Sequence, residues 1–551
     1  MFTIIPQLKL RIIFDNQIYS AFIKTATREG PMAKLDDLLD RVKSAGAKAL
    51  EKADSVDKTG KANPAEVLKE QVKSKLGVSK LVLASNREPY VHFYGDDGVQ
   101  HFRYASGLTI ALDSVAQATG GIWVAHGAGQ ADREVADAEG RVAVPPESPN
   151  YTLKRIFLNK SQENGYYYGF SNQVLWPLCH VAFVRPNFDV KFWEAYQEVN
   201  RLFAQAIVKE AGEEKTLVFL QDYHLALCAK YIKELKPSFT TVLFWHIPWP
   251  NPEIFRICPW KQELLDGLLA NDILGFHLRY HADNFLKTVA LELEAKIDAE
   301  KDIVLKEEKK CQVRAYPISV DFQKIDRQAA APEIQLEMDK IRRKYRLQGI
   351  EYIGLGVDRI DYSKGIPERL KALDRFFELN PQQVGKVVFI QIGVPSRTSL
   401  PEYQETIDLI ESIIQKINWK YSDGRWNPIV YIPEHQDFDE IVPFYRLADF
   451  CIVSSLHDGM NLVAKEYVSA QVDGNGVLIL SEFTGSSREL NSALLINPYD
   501  LENFAQAIKT AVEMPQEEKI TRMHRLREIV SEHTIYDWAE QIVGDLARIR
   551  Q

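Results

Sequence analysis

From residue 80 onward one pattern repeats along the chain: a short unbroken apolar run, a polar stop, then a stretch with helical spacing. The runs "KLVLASNREPY", "TLVFLQDYH", "TVLFWHIPW" and "DILGFH" form a first series. A second series begins near residue 350 with "EYIGLGVDR", "KVVFIQIGV", "PIVYIP", "FCIVSS" and "GVLILS". Strands that are apolar throughout and separated by helices belong to parallel sheets covered on both faces. The two series predict an α/β protein with two Rossmann-like domains, joined around "CQVRAYPISVDFQK". Ligands of open α/β sheets bind beyond the carboxyl ends of the strands, so a central cleft between the two domains is the expected site.

Residues 31–78 break the pattern. They are rich in Ala, Lys, Glu and Leu, with Leu35, Leu38, Leu39 and Val42 at helical spacing, which predicts two helices outside the main body. Packing, solubility or self-association is the expected role of this extension.

Composition changes this picture little. The 551 residues are long enough for several domains, and 46% hydrophobic with 26% charged residues is ordinary for a soluble globular chain. A net charge of −9 argues against a general nucleic-acid binder, which needs an excess of Lys and Arg against phosphates. Cys179, Cys228, Cys258, Cys311 and Cys451 are scattered without a paired motif, as expected of reduced, buried thiols in a cytoplasmic protein. No apolar run is long enough to span a bilayer, and Lys9, Arg11 and Asp15 interrupt the apolar N-terminus, so neither a membrane span nor a signal peptide is expected.

The polar stops carry the candidate chemistry. In "GVDRIDYSKGIPERL", Arg359, Asp361 and Lys364 follow an apolar strand and precede a helix, a place where cations can hold phosphates; a solvated turn would look similar. Taken singly, Arg87 reads as a surface arginine, Asp222 and His224 as a turn and a helix cap, His246 as a core histidine and Arg397 as a loop residue. Their shared position at strand ends facing one cleft is what favours a site. In "LHDGMNLVAKEYVSAQ", Asp458-Gly459 predicts a tight turn, and the stretch from Met460 onward predicts a helix whose first N–H groups would meet an anionic or polyhydroxyl ligand. Glu466, eight residues after Asp458, could accept two hydroxyl hydrogen bonds from a ribose, or could be a solvated helical glutamate. His277 and His281 are expected four apart on a helix, with no third metal ligand evident; surface or packing roles are the simpler reading. No metal site and no cofactor are expected.

The motifs "SNRE", "YYYGFSNQVLWP", "QDYHL", "HIPWPNPEIF", "VDRIDYSKGIPERL" and "HDGMNLVAKEYVSAQ" occur in the order found in the trehalose-6-phosphate synthase family, and from about residue 79 to the C-terminus the chain resembles that family. It comprises retaining glycosyltransferases of family 20 with the GT-B fold, two Rossmann-like domains whose parallel sheets face a central cleft. The resemblance implies a division into an N-terminal extension (1–78), an acceptor-binding domain (79–322), a nucleotide-sugar-binding domain (323–530) and a C-terminal helix (531–551) packing back on the N-terminal domain. It further implies that Arg359 and Lys364 bind the donor diphosphate and that Glu466 holds the donor ribose. Asp458, with the backbone of Gly459, Met460, Asn461 and Leu462, would grip the donor sugar and phosphates, and Gly107 would let the backbone approach the donor. Arg87, Tyr167, Trp176, Asp222 and Arg397 would form the acceptor site, with both arginines near the sugar phosphate. His246 would lie close to the anomeric centre.

The implied reaction is synthesis of α,α-trehalose 6-phosphate from a nucleoside-diphosphate glucose and glucose 6-phosphate, with the base left open. A glucosylglycerol-phosphate synthase using glycerol 3-phosphate, or a catalytically silent sugar-phosphate sensor, are the alternatives. A retaining hydrolase would need two carboxyl groups roughly 5 Å apart, and nothing selects such a pair. Two departures from the family pattern stand out. "YVHFYGDDGVQHFRY" predicts a long hairpin between Arg87 and Gly107, and His126 stands where relatives often carry tryptophan. Oligomeric state is left open, homo-oligomers included.

Overall fold

The computed structural model describes residues 67–68, 70–71, 74–75, 80–95, 98–103, 107–422, 424 and 426–550. The helices expected within residues 31–78 lie outside them, apart from a few positions at the end of that segment.

The first sheet uses β1 (Lys80–Ser85), β4 (Ile122–His126), β5 (Arg141–Val144), β6 (Tyr151–Ile156), β7 (Thr216–Gln221), β8 (Thr240–Trp245), β9 (Ile273–Phe276), β10 (Lys296–Asp298), β11 (Ile303–Lys306) and β12 (Lys309–Ala315). Its spatial order is β10-β11-β12-β9-β8-β7-β1-β4-β6-β5. The seven strands from β12 to β6 run parallel, and only the edge strands β5, β10 and β11 pair antiparallel. β2 (Tyr90–Gly95) and β3 (Gly98–Arg103) form a separate antiparallel hairpin, as the sequence pattern predicts.

The second sheet is wholly parallel. It comprises β13 (Tyr352–Arg359), β14 (Val387–Val394), β15 (Ile429–Ile432), β16 (Phe450–Val453), β17 (Val477–Ser481) and β18 (Leu494–Ile496), in the order β15-β14-β13-β16-β17-β18. Alternate residues of β14 enter different cores: Val388, Ile390 and Ile392 pack on one face, Val387 and Phe389 on the other. Burial on both faces is why these strands read as continuous apolar runs rather than alternating ones.

Strand order reverses between β1 and β7 in the first sheet and between β13 and β16 in the second. Such switch points open a crevice at the carboxyl ends of the strands. The chain leaves the first sheet after Ala315 and returns in the helix Ile535–Arg550, and the two crossings are joined by a hydrogen bond from Ile535 N to Val320 O (3.1 Å). In that last helix Trp538 stacks on Phe219 of β7 and meets Phe244 of β8 edge-on, while the Tyr316 hydroxyl donates to Asp545 (2.7 Å). All five cysteines are free and buried. Among the described residues no helix is long and apolar enough to cross a membrane.

Candidate active site

Both switch points open onto one cavity of about 520 Å³. Gly107 aside, every site residue that the resemblance implies lines it except Gly459; Asp361 and His224 lie outside the lining. Gly107 is the first residue of the helix Gly107–Thr119, and Gly459 lies in the loop after β16, directly against the first sheet's half.

The strand ends position the cations. Arg359 closes β13, and its Nη1 is buried without a hydrogen-bond partner. Burial, with Arg397 and Arg87 nearby, pulls the Arg359 guanidinium below its ordinary value. Three guanidinium groups crowded in a low-dielectric pocket repel one another and invite an anion. Arg397 follows β14 in a left-handed backbone conformation (φ 52°). Its Nη1 donates to Asp361 Oδ2 (3.0 Å) and pairs with the Tyr403 hydroxyl, its guanidinium lies 4.5 Å from the Trp176 ring centre, and its Nε is buried without a partner. Arg87, beyond β1, donates to the Tyr167 hydroxyl (3.3 Å). Burial raises the Tyr167 phenol, but the cations of Arg87 and Arg397 outweigh it and bring it down to about 7. The loop carrying Arg87 is anchored by its neighbour Glu88, which accepts from the fully buried Arg155 (2.7 Å). His126, the departure noted above, lines the cavity, and burial lowers its imidazole to about 4.

Asp361 is the hub. It accepts from Ser363 N (2.9 Å) and Ser363 Oγ (2.8 Å), from Arg397 and the Tyr403 hydroxyl, and from Trp176 Nε1 (3.3 Å) of the first sheet's half. The sequence flagged this aspartate only as a neighbour of two cations. Below it, Arg369 binds Asp358 (2.7 Å), Gln391 (2.8 Å) and Ser454 (3.0 Å), and so locks the ends of β13, β14 and β16 together.

Two other residues follow neighbouring strands of the first sheet, β7 and β8. Asp222 follows β7 at φ 73°, and its Oδ1 accepts from Tyr223 N (2.9 Å) and His246 N (3.1 Å). The cap expected there is real, yet Asp222 also faces the cavity, where burial raises its carboxyl to about 7. The His246 Nε2 donates to Gln221 Oε1 (2.8 Å), which fixes its tautomer, and burial lowers this imidazole to about 3, so it is neutral at neutral pH.

The loop after β16 approaches from the other side. Asp458 Oδ2 accepts from Lys364 Nζ (2.6 Å), Ser455 Oγ (3.1 Å) and Asn461 Nδ2 (3.2 Å). Burial raises this carboxyl, but Lys364 outweighs it and holds it well below the usual carboxylate range. A Cβ on Gly459 would stand 2.2 Å from the carbonyl oxygen of His246, so only glycine lets the two halves meet there. The helix expected from Met460 starts instead at Leu462, because Asn461 takes φ 74° and caps it by accepting from Ala464 N (3.2 Å). Glu466 is 6% exposed, which excludes the solvated reading. It accepts from the Tyr445 hydroxyl (2.8 Å), and burial raises its carboxyl to about 7 against that bond.

His277 and His281 do not share a helix: His277 follows β9, and only His281 lies in the helix Arg279–Glu292. Both are buried, and among the described residues no group of three or more His, Cys, Asp or Glu side chains could hold a metal ion. The contacts between the halves made by His180 and His457 were not anticipated. His457 Nδ1 donates to His180 O (3.0 Å), while the His180 ring covers Trp176 at 4.0 Å.

Two parallel sheets facing a cleft, with arginines from the strand ends of both sheets crowded in it and a capped helix with a buried acid after β16, define a GT-B glycosyltransferase. The profile of Glycosyltransferase family 20 matches residues 79–548, and the chain belongs to that family. The "Alpha,alpha-trehalose-phosphate synthase [UDP-forming]" of Botryotinia fuckeliana is 36% identical over 478 residues, 86% of this chain and 90% of the relative. A solved structure from E. coli bound with UDP-2-fluoro glucose is 31% identical with a TM-score of 0.75, covering 85% of this chain and 99% of that one. An alpha,alpha-trehalose-phosphate synthase (UDP-forming) from Burkholderia xenovorans, in complex with glucose-6-phosphate, is 30% identical with a TM-score of 0.76, covering 85% of this chain and all of that one.

Proposed function

We propose that this protein transfers glucose from a nucleoside-diphosphate glucose, UDP-glucose foremost, to glucose 6-phosphate with retention, giving α,α-trehalose 6-phosphate. The observation that carries this reading is that one cavity holds two differently built ends. The Arg87–Tyr167–Arg397 cluster suits a sugar phosphate, and Glu466 at the helix Leu462–Ala470 suits a nucleotide ribose. The half built on the first sheet would then hold the acceptor, and the half built on the second the nucleotide. The names of the relatives, UDP-forming in each case, support uridine as the base.

In this reading the bond from the anomeric carbon to the donor diphosphate breaks while a bond to the acceptor's anomeric hydroxyl forms on the same face. The hydroxyl proton passes to the departing phosphate oxygen. Arg359 and Lys364 stabilise the charge that grows on the diphosphate, and a preorganised cation is worth most in such a dry site. Asp222 and His246, tied to each other through the His246 backbone, set the position of the reacting carbon. The testing experiment is a matrix of UDP-, GDP- and ADP-glucose against glucose 6-phosphate, glucose and glycerol 3-phosphate, with product identification. The expected product is trehalose 6-phosphate, and most of the rate is expected to survive exhaustive chelation. A chain inert in every cell of the matrix would be the silent sensor instead.

A further inference from the structure

We propose that His277 is a sugar-recognition residue of the donor subsite, donating a hydrogen bond to a hydroxyl of the transferred hexose. The inference rests on the function proposed above and adds a residue that reads the sugar rather than the nucleotide.

His277 stands beyond β9, the strand beside β8 whose end carries His246, and its ring lines the cavity. The ring packs edge-on against His246 (5.3 Å between centres) and Phe244 (4.9 Å). On another side its Cδ2 lies 3.1 Å from where a Gly459 Cβ would be, so it presses on the loop that begins with Asp458. That loop and His246 bracket the place where a donor hexose would sit.

Among the described residues the His277 imidazole makes no hydrogen bond, and its Nδ1 is buried without one. Its neighbours on the same side of the cleft are engaged: His246 with Gln221, His180 with the Trp176 carbonyl (2.9 Å), His457 with the His180 carbonyl. Nδ1 is enclosed by protein, whereas Nε2 is not among the buried unpartnered atoms and is the nitrogen left to meet what the cavity holds. An orphaned lone pair is tolerated better than an orphaned N–H. Nδ1 is therefore the bare nitrogen, and Nε2 carries the proton and donates. Burial first, then His246, His281 and Lys465, keeps the ring neutral. A neutral donor suits a hydroxyl oxygen; the fixed cations Arg359 and Lys364 already face the phosphates. His281 is the internal control. It is equally buried with an equally orphaned Nδ1, but it does not line the cavity, and no sugar role is assigned to it.

The test compares the affinities of UDP and UDP-glucose, and kcat/KM with UDP-glucose and its single-deoxy analogues, for the full chain and for His277→Ala and His277→Gln. Thermal unfolding checks that both variants fold. UDP affinity is expected to hold in both. His277→Ala should lose about ten- to a hundredfold in kcat/KM for UDP-glucose, the cost of leaving a buried hydroxyl unpaired, and Gln should restore part of it. One deoxy donor should be penalised in the wild type but not further in His277→Ala, the non-additivity that marks a direct contact. Parallel losses for UDP and UDP-glucose, or equal deoxy penalties in all three proteins, would overturn the proposal. A variant that does not fold leaves the decision to the deoxy series in His277→Gln. A wild type that transfers glucose from no nucleoside diphosphate would overturn the proposed function instead.

Discussion

Lys364 Nζ lies 2.6 Å from Asp458 Oδ2, an ion pair that ties the loop after β13 to the loop after β16. Arg359, five residues before Lys364, has no such tie; its Nη1 is buried and unpartnered. Two cations proposed for one diphosphate therefore differ in what they do for the empty protein. Lys364→Ala strands a buried carboxylate and should lower stability by roughly 3 kcal/mol as well as weaken donor binding. Arg359→Met removes a cation crowded by Arg87 and Arg397, so unfolding temperature should hold or rise while turnover collapses. Thermal unfolding and nucleotide release, measured on both variants, check the contrast. Equal destabilisation of the two would refute it.

Gly459 packs closely against the other half. With the His246 carbonyl 2.2 Å from any added Cβ, Gly459→Ala must push the loop or the β8 end aside. A displacement on the order of 1 Å at reacting groups costs about a hundredfold in rate. The expected result is that loss in kcat/KM with a much smaller change in unfolding temperature, since the cavity can take up the shift.

Glu466 ties donor affinity to pH. Burial raises its carboxyl to about 7, so at neutral pH the empty protein holds it partly protonated. From the unfolded carboxyl range up to 7 the folded state binds more protons than the unfolded one, and this group's contribution to stability falls as pH rises through that window. Donor binding runs the other way. A ribose is held by the carboxylate, so affinity for UDP-glucose should rise from pH 6 to 8, with proton release on binding near pH 7. Calorimetry in buffers of different ionisation enthalpy measures the release. Glu466→Gln should remove this component and weaken donor binding by roughly 1–3 kcal/mol. An unchanged proton count in that variant would assign the effect to Asp222, whose carboxyl burial also raises to about 7.

Strands β1, β7, β8, β9 and β13 to β17 were legible because burial on two faces leaves a continuous apolar run, and the hairpin because "GDDG" interrupts two β-rich stretches, whereas β4, β5, β6, β10, β11, β12 and β18 were not read. The cluster at the strand ends was legible from position alone. The hub at Asp361 was not, since Trp176, which donates to it, lies 185 residues away in sequence. No local pattern reports such a contact. The start of the helix at Leu462 was misplaced by two residues because a capping asparagine with positive φ looks, in sequence, like one more helical position. His277 was read as a surface or packing residue on a helix because the turn between β9 and the helix from Arg279 separates two histidines that spacing alone puts on one face.

The acceptor end gives the sharpest test of the proposed reaction. Arg87 and Arg397 converge on the Tyr167 hydroxyl, and their charges bring that phenol down to about 7. A sugar phosphate placed there would take over both cations, so glucose 6-phosphate should be strongly preferred to free glucose, which lacks the anchor that orients its anomeric hydroxyl. Arg397→Ala should shrink that preference while sparing donor affinity. It also strips Asp361 of its cation, although the bonds from Ser363, Tyr403 and Trp176 remain. Arg87→Ala supplies a second measure that leaves Asp361 untouched. Arg397→Lys should rescue poorly, because an ammonium cannot span Asp361 and a phosphate with the fixed fork of a guanidinium or cover the Trp176 ring in the same way. Glycerol 3-phosphate separates phosphate recognition from ring recognition, since it offers Tyr167 and Trp176 no hexose. In direct competition glucose 6-phosphate should win. If glycerol 3-phosphate wins instead, the arginines hold a phosphate but the cavity does not select a sugar, and the enzyme makes a glucosylglycerol phosphate.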